Sequence, residues 1–219
     1  MNSLAEGLLV VLILANLWLL GSSRLHSCIL AVATQGVLVA ALPFVAGLPQ
    51  GPPLWRLLLQ AGVSLSVKGF LFPWLFMRAA RSAGVRREVQ PFIGYTASLL
   101  VGVVLLVGSL VIGLRLPLTP NPASRLVVPY ALFTALVGLF VIIGRKSALM
   151  QALGYLSMET GIMAFGMALA EREAFLVEMG LSLDVFVAVF VMGITIQRIG
   201  REFDHIDSDR LSGLKDSPQ

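Results

Sequence analysis

This chain has little charge. Of its 219 residues, 13% are Asp, Glu, Lys or Arg and 57% are hydrophobic. A soluble domain of this length carries about a quarter charged residues, so composition excludes an ordinary soluble fold. Cysteine is nearly absent, with Cys28 alone. A disulfide within the chain is therefore impossible, as is a zinc or Fe–S site built from this chain's cysteines. Histidine is almost as rare. His26 and His205 lie near or beyond the ends of apolar runs, which excludes a bis-histidine haem inside a helical bundle and reads both as loop or interface residues. The net charge of +4 is not gathered into a basic patch interleaved with aromatics, so nucleic acid is not an expected partner. The opening stretch MNSLAEGLLVVLILANLWLLGSSR has no basic leader and no small-residue cleavage site. It reads as a retained first span rather than a removed signal peptide.

What the chain does have is long apolar runs, and the mean hydropathy is +0.88. An apolar helix of about 20 residues crosses a bilayer. Windows of that length predict an all-α polytopic membrane protein with seven spans: Leu4–Leu20, Ser27–Leu48, Leu54–Met77, Phe92–Leu114, Leu126–Ile143, Ser147–Ala170 and Leu176–Ile199. PQGPP, at Pro49–Pro53, makes a tight turn because proline cannot continue a helix. The basic residues are asymmetric. Eleven follow spans 1, 3, 5 and 7, from Arg24 to Lys215, whereas Arg56, Arg115, Arg125 and Arg172 fall on the other side. The positive-inside rule then predicts an external N-terminus and an internal tail.

Three ionisable residues fall inside spans: Lys68, Glu159 and Asp184. At 1.5 Å rise per residue, they lie about 15, 20 and 21 Å from the inner ends of spans 3, 6 and 7. All three are therefore expected in one central layer. Charge at the bilayer centre costs several kcal/mol and marks a functional site by default. Two carboxylates and an amine at one depth form either a proton relay or a neutralising pair. Tyr155 lies at i−4 from Glu159, on the same helix face, where it can donate a hydrogen bond. Thr160 and Ser157 are small polar neighbours. In span 3, SVKGFLFPW places Pro73 four residues after Gly69, which removes a helical hydrogen bond and predicts a kink beside Lys68. The competing reading makes Glu159 structural glue and Lys68 a fixed counter-ion. The glycines of spans 6 and 7 read as close helix packing.

The residues of span 6 also carry a resemblance. GLFVIIGRKSALMQALGYLSMETG (Gly138–Gly161), LDVFVAVFVMGITIQR (Leu183–Arg198) and the tail HIDSDRLSGLKD (His205–Asp216) resemble the small K-type, three-helix subunit of respiratory complex I. Glu159 falls about one helical turn later than that subunit's acid, and Asp184 is offset by about one residue. The whole chain is similar to the hydrogenase-4 component E family. The pieces that carry this are VKGFLFPWLFM (Val67–Met77), GYLSMET (Gly154–Thr160) and LVEMGLSLDVFVAVFVMG (Leu176–Gly193). Thr160 stands where that family usually has Asn. The resemblance divides the chain into a four-span region over residues 1–125, a three-span K-like region over 126–200 and a cytoplasmic tail over 201–219.

It implies a multi-pass subunit of a bacterial or archaeal cytoplasmic membrane, in a complex-I-related hydrogenase or formate hydrogenlyase-type complex. The nickel–iron and Fe–S centres would belong to other subunits, and no cofactor is expected in this chain. The implied partners are antiporter-like large membrane subunits and the membrane subunit that docks the hydrogenase module. Glu159 and Asp184 are then expected on the proton path, with Lys68 as counter-ion or third relay. Tyr155, Thr160 and Pro73 would support them. The alternative is a structural membrane adaptor that holds the antiporter-like subunit to the redox module and carries no protons itself.

Overall fold

A computed structural model describes residues 3–46, 54–82, 93–116 and 122–169. The expected seventh span, the tail and Asp184 lie outside the described residues. Every described element is helical: α1 (Ser3–Gly21), α2 (Leu25–Ala46), α3 (Leu54–Ser66), a π turn (Val67–Leu71), α4 (Phe72–Ser82), α5 (Tyr95–Arg115), α6 (Pro122–Gly144) and α7 (Ala148–Leu169). Among them, four stretches are long and apolar enough to cross a membrane: Leu4–Gly21, Leu25–Val45, Tyr95–Arg115 and Leu126–Gly144. The α3–π–α4 rod and α7 carry the ionisable residues Lys68 and Glu159 respectively. The described helices begin and end within a few residues of the limits expected for the first six spans, except that α4 runs on to Ser82 and α6 starts at Pro122.

The outer surface is apolar. Val10, Leu14 and Trp18 of α1 and Leu100, Val104, Val107 and Val111 of α5 are all exposed. Recurrence at three- and four-residue steps makes each set one helix face. Contiguous exposed apolar area of this kind suits a lipid or protein neighbour and not water.

Small residues bring α6 and α7 together as a hairpin. A Cβ placed on Gly138 would overlap the Met158 amide nitrogen and stand 2.5 Å from the Gly154 carbonyl. One on Gly161 would overlap the Ala135 amide nitrogen, and one on Gly154 would be 2.9 Å from the Gly138 carbonyl. Backbone therefore touches backbone along the seam, the packing mode that helices use where solvent supplies no hydrophobic drive. At one end of the bundle Arg145 joins three elements. Its guanidinium donates to the Leu20 carbonyl at 2.8 Å and lies 4.8 Å from the Tyr95 ring centre. It thereby satisfies a carbonyl in the last turn of α1, where cations also complement the helix dipole. The residue is almost fully buried, at 2% exposure.

The hairpin geometry sets a graded expectation. Gly138→Ala and Gly161→Ala should each destabilise by about 1–3 kcal/mol through overpacking. A methyl group at Gly108 would meet nothing within 4 Å. Gly108→Ala should therefore be neutral or stabilise by up to about 1 kcal/mol, because glycine weakens a helix interior. Thermal melting of the detergent-solubilised chain checks both.

Candidate functional site: a buried ion pair in a polar layer

Lys68 sits inside the π turn. The Phe72 amide there donates to the Val67 carbonyl, five residues back rather than four. Pro73 accounts for the widening. Its ring would clash with the carbonyl four residues earlier, at Gly69, and it has no N–H to donate. A turn widened by one residue relieves the clash. The expected kink is thus a π bulge, an irregularity frequent at functional sites. The extra residue also resets the direction in which Lys68 projects.

The ammonium of Lys68 donates to Glu159 Oε1 at 2.9 Å. Both side chains are buried, at 6% and 3% exposure. Two residues 91 apart in sequence, on different rods, form one ion pair in the bundle interior. The Met163 sulfur lies 4.0 Å from the same ammonium. Gly36 of α2 makes room for the lysine stem, since a Cβ there would come 2.8 Å from Lys68 Cβ. The Thr160 hydroxyl donates to the Leu156 carbonyl of its own helix at 2.8 Å, which leaves its oxygen able to accept. Tyr155 is half-buried and packs against the hydrophobic cluster around Leu153 and Leu156. Lys68, Pro73 and Thr160 share the lining of a small cleft with Ile29, Phe72 and Leu156, of about 10 Å³, room for about one water.

The pair belongs to a larger arrangement that residue order did not reveal. The described core divides into two apolar clusters. One contains Leu19, Ile29, Phe76, Val141 and Leu153. The other contains Leu9, Val39, Val128, Ala131 and Ala164. Each of α1, α2, α6 and α7 contributes to both clusters, and each carries its fully buried polar residues at the crossover: Asn16, Gln35, Thr134, and Ser157 with Glu159 and Thr160. Lys68 enters the same layer from the π turn. Three of these residues are directly bonded. Asn16 Nδ2 donates to Thr134 Oγ1 at 3.0 Å, and Gln35 Nε2 donates to Asn16 Oδ1 at 3.1 Å. The available signal was a lone amide in an apolar run. Charge marks out Lys68 and Glu159, whereas Asn16 and Gln35 carry the same kind of cost without charge.

The architecture is that of a helical membrane protein with an internal ion pair. No family model matches the chain, and no solved structure matches it. Two sets of relatives do. The uncharacterized protein Rv0085 of Mycobacterium tuberculosis is 32% identical over 212 residues, spanning 94% of this chain and 93% of the relative. Hydrogenase-4 component E of Escherichia coli is 30% identical over 162 residues, spanning 73% of this chain and 74% of the relative. The same figures hold for hydrogenase-4 component E of Shigella flexneri. The chain belongs to the hydrogenase-4 component E family.

Removing one partner of a buried pair strands the other charge, at a cost of about 3–5 kcal/mol, whereas replacing both costs much less. Lys68→Met should therefore melt well below the parent chain, and Lys68→Met combined with Glu159→Met should recover most of the loss. Gly36→Ala should fall between, because it pushes on the lysine stem without removing either charge. Thermal melts of the parent and the three variants decide this.

Proposed function

We propose that this chain is a non-catalytic membrane subunit of a complex-I-related hydrogenase complex. In this reading it contributes buried charge to proton translocation coupled to electron transfer. The observation that carries it is the Lys68–Glu159 pair, held inside the bundle at 2.9 Å in a member of the hydrogenase-4 component E family. Intramembrane ionisable residues that face one another characterise proton relays. The redox centres belong to partner subunits, and antiporter-like and hydrogenase-docking membrane subunits are the proposed neighbours. The proposed setting is a cytoplasmic membrane, with seven spans, the N-terminus outside and the tail inside. Asp184 is the proposed second acid of the path.

The chemistry this chain supplies follows from charge balance. In the resting pair the carboxylate and ammonium cancel. A proton arriving at Glu159 neutralises the carboxylate and removes its share of the balance for the buried lysine charge. Proton arrival and the charge surrounding Lys68 are therefore coupled, which is the behaviour a relay needs. Pro73 and the π turn hold Lys68 at the right place, and Thr160 offers an accepting oxygen on the cleft beside it.

The paired geometry favours a second reading as well. A well-buried ion pair also serves as a static lock between the α3–α4 rod and α7, as a structural adaptor requires. Glu159→Gln separates the two. In the relay, the variant complex assembles and electron transfer proceeds, but the number of protons moved per electron falls. In the adaptor, the variant loses its partner subunits on native gels. Normal assembly together with a normal proton-to-electron ratio would defeat the relay. Purification of the tagged chain in mild detergent tests the complex itself, since hydrogenase-type subunits should accompany it.

A further inference from the structure

We propose that Gln35 and Ser157 together bind one internal water molecule, at the junction of α1, α2, α6 and α7. The inference stands apart from the hydrogenase reading, because it rests on hydrogen-bond accounting alone.

The bonds of the Asn16–Gln35–Thr134 cluster leave little freedom. Asn16 Nδ2 uses its two hydrogens on the Leu12 carbonyl, at 2.9 Å, and on Thr134 Oγ1, at 3.0 Å. Thr134 in turn donates its own proton to the Tyr130 carbonyl at 2.9 Å. Asn16 Oδ1 is therefore the acceptor that faces Gln35, and Gln35 must present Nε2 to it. Flipping the Gln35 amide would set two carbonyl oxygens against each other. The orientation is fixed by the chain of donors. Gln35 Oε1 is then fully buried and accepts nothing among the described residues. An unsatisfied acceptor at such a site costs about 1–3 kcal/mol.

Ser157 presents the complement. Its hydroxyl is fully buried and makes no bond among the described residues. On α7 it lies three residues after Gly154 and four before Gly161, the two glycines that touch α6. It therefore faces the α6 seam. Thr134 occupies the matching position on α6, three residues after Ala131 and four before Gly138, and Ala131 and Gly138 are contacts of Gly161 and Gly154 respectively. Ser157 thus faces Thr134 across the seam, and Gln35 is joined to Thr134 through Asn16, so a donor without an acceptor and an acceptor without a donor share one polar layer. Because the two do not bond directly, a water that accepts from Ser157 and donates to Gln35 satisfies both. Buried waters characteristically serve polar groups in this way, with two to four partners. The layer then runs continuously across the bundle, from Asn16 to the helix that carries Glu159.

A double-mutant cycle on the full-length chain tests the proposal. Gln35→Leu and Ser157→Ala each expel or orphan the same water. Once one is made, the second should cost little, so the double variant should melt no lower than the worse single variant. Additive losses in melting temperature would overturn the shared site. If any variant fails to accumulate, a density map of the unmodified chain at a resolution that shows waters decides instead. A peak within hydrogen-bond distance of both Gln35 Oε1 and Ser157 Oγ supports the site. A Ser157 hydroxyl turned onto its own helix, with no peak beside Gln35, overturns it.

Discussion

The bundle is organised by one constraint: Lys68 and Glu159 cannot be buried separately. A lone ammonium or carboxylate in an apolar interior is destabilising by several kcal/mol, and only a partner at contact distance offsets this. Meeting at 2.9 Å dictates much of what surrounds the pair. The α3–α4 rod must present Lys68 toward α7, and the π turn sets that direction. Helix α2 must let the lysine stem pass, which Gly36 allows. Helix α7 must be held firmly enough to keep Glu159 in place, and its glycine seam with α6 does this.

The same layer holds an uncharged counterpart. Asn16, Gln35 and Thr134 tie α1, α2 and α6 together at the level where the ion pair ties the α3–α4 rod to α7. Polar groups in an apolar bundle act as register pins. Each forbids sliding or rotation that would leave a donor or acceptor alone, whereas the apolar clusters on either side tolerate many arrangements of similar area. The polar layer specifies which helices meet and at what height, and the leucine- and valine-rich clusters supply contact area.

Much of this was legible in residue order. The apolar runs announced the helices, and the described ones begin and end close to the expected limits. Lys68 and Glu159 stood out because charge is rare in such runs, and counting helical rise placed them at one depth. Other parts were not legible. Pro73 signalled an irregularity, but its missing hydrogen bond is compatible with a simple kink or a π bulge, and only the structure shows the bulge. Asn16 and Gln35 give a weaker signal in residue order, because an amide costs less than a charge and is commoner in helices. Arg145 is in sequence one more basic residue between apolar runs, yet it is buried against Leu20 and Tyr95.

The sequence by itself determined that this chain is helical and belongs in a membrane. Those properties depend on local composition and on the cost of leaving backbone polar groups in hydrocarbon. It also determined that any buried charge must find an opposite one. The tertiary structure decided which partner Glu159 takes, because 91 residues separate it from Lys68 and nothing local links them. It decided equally that three scattered amide and hydroxyl side chains lie level with that pair. Such matters turn on helix rotation and register, and these are set by contacts between elements, which residue order along any one helix does not contain.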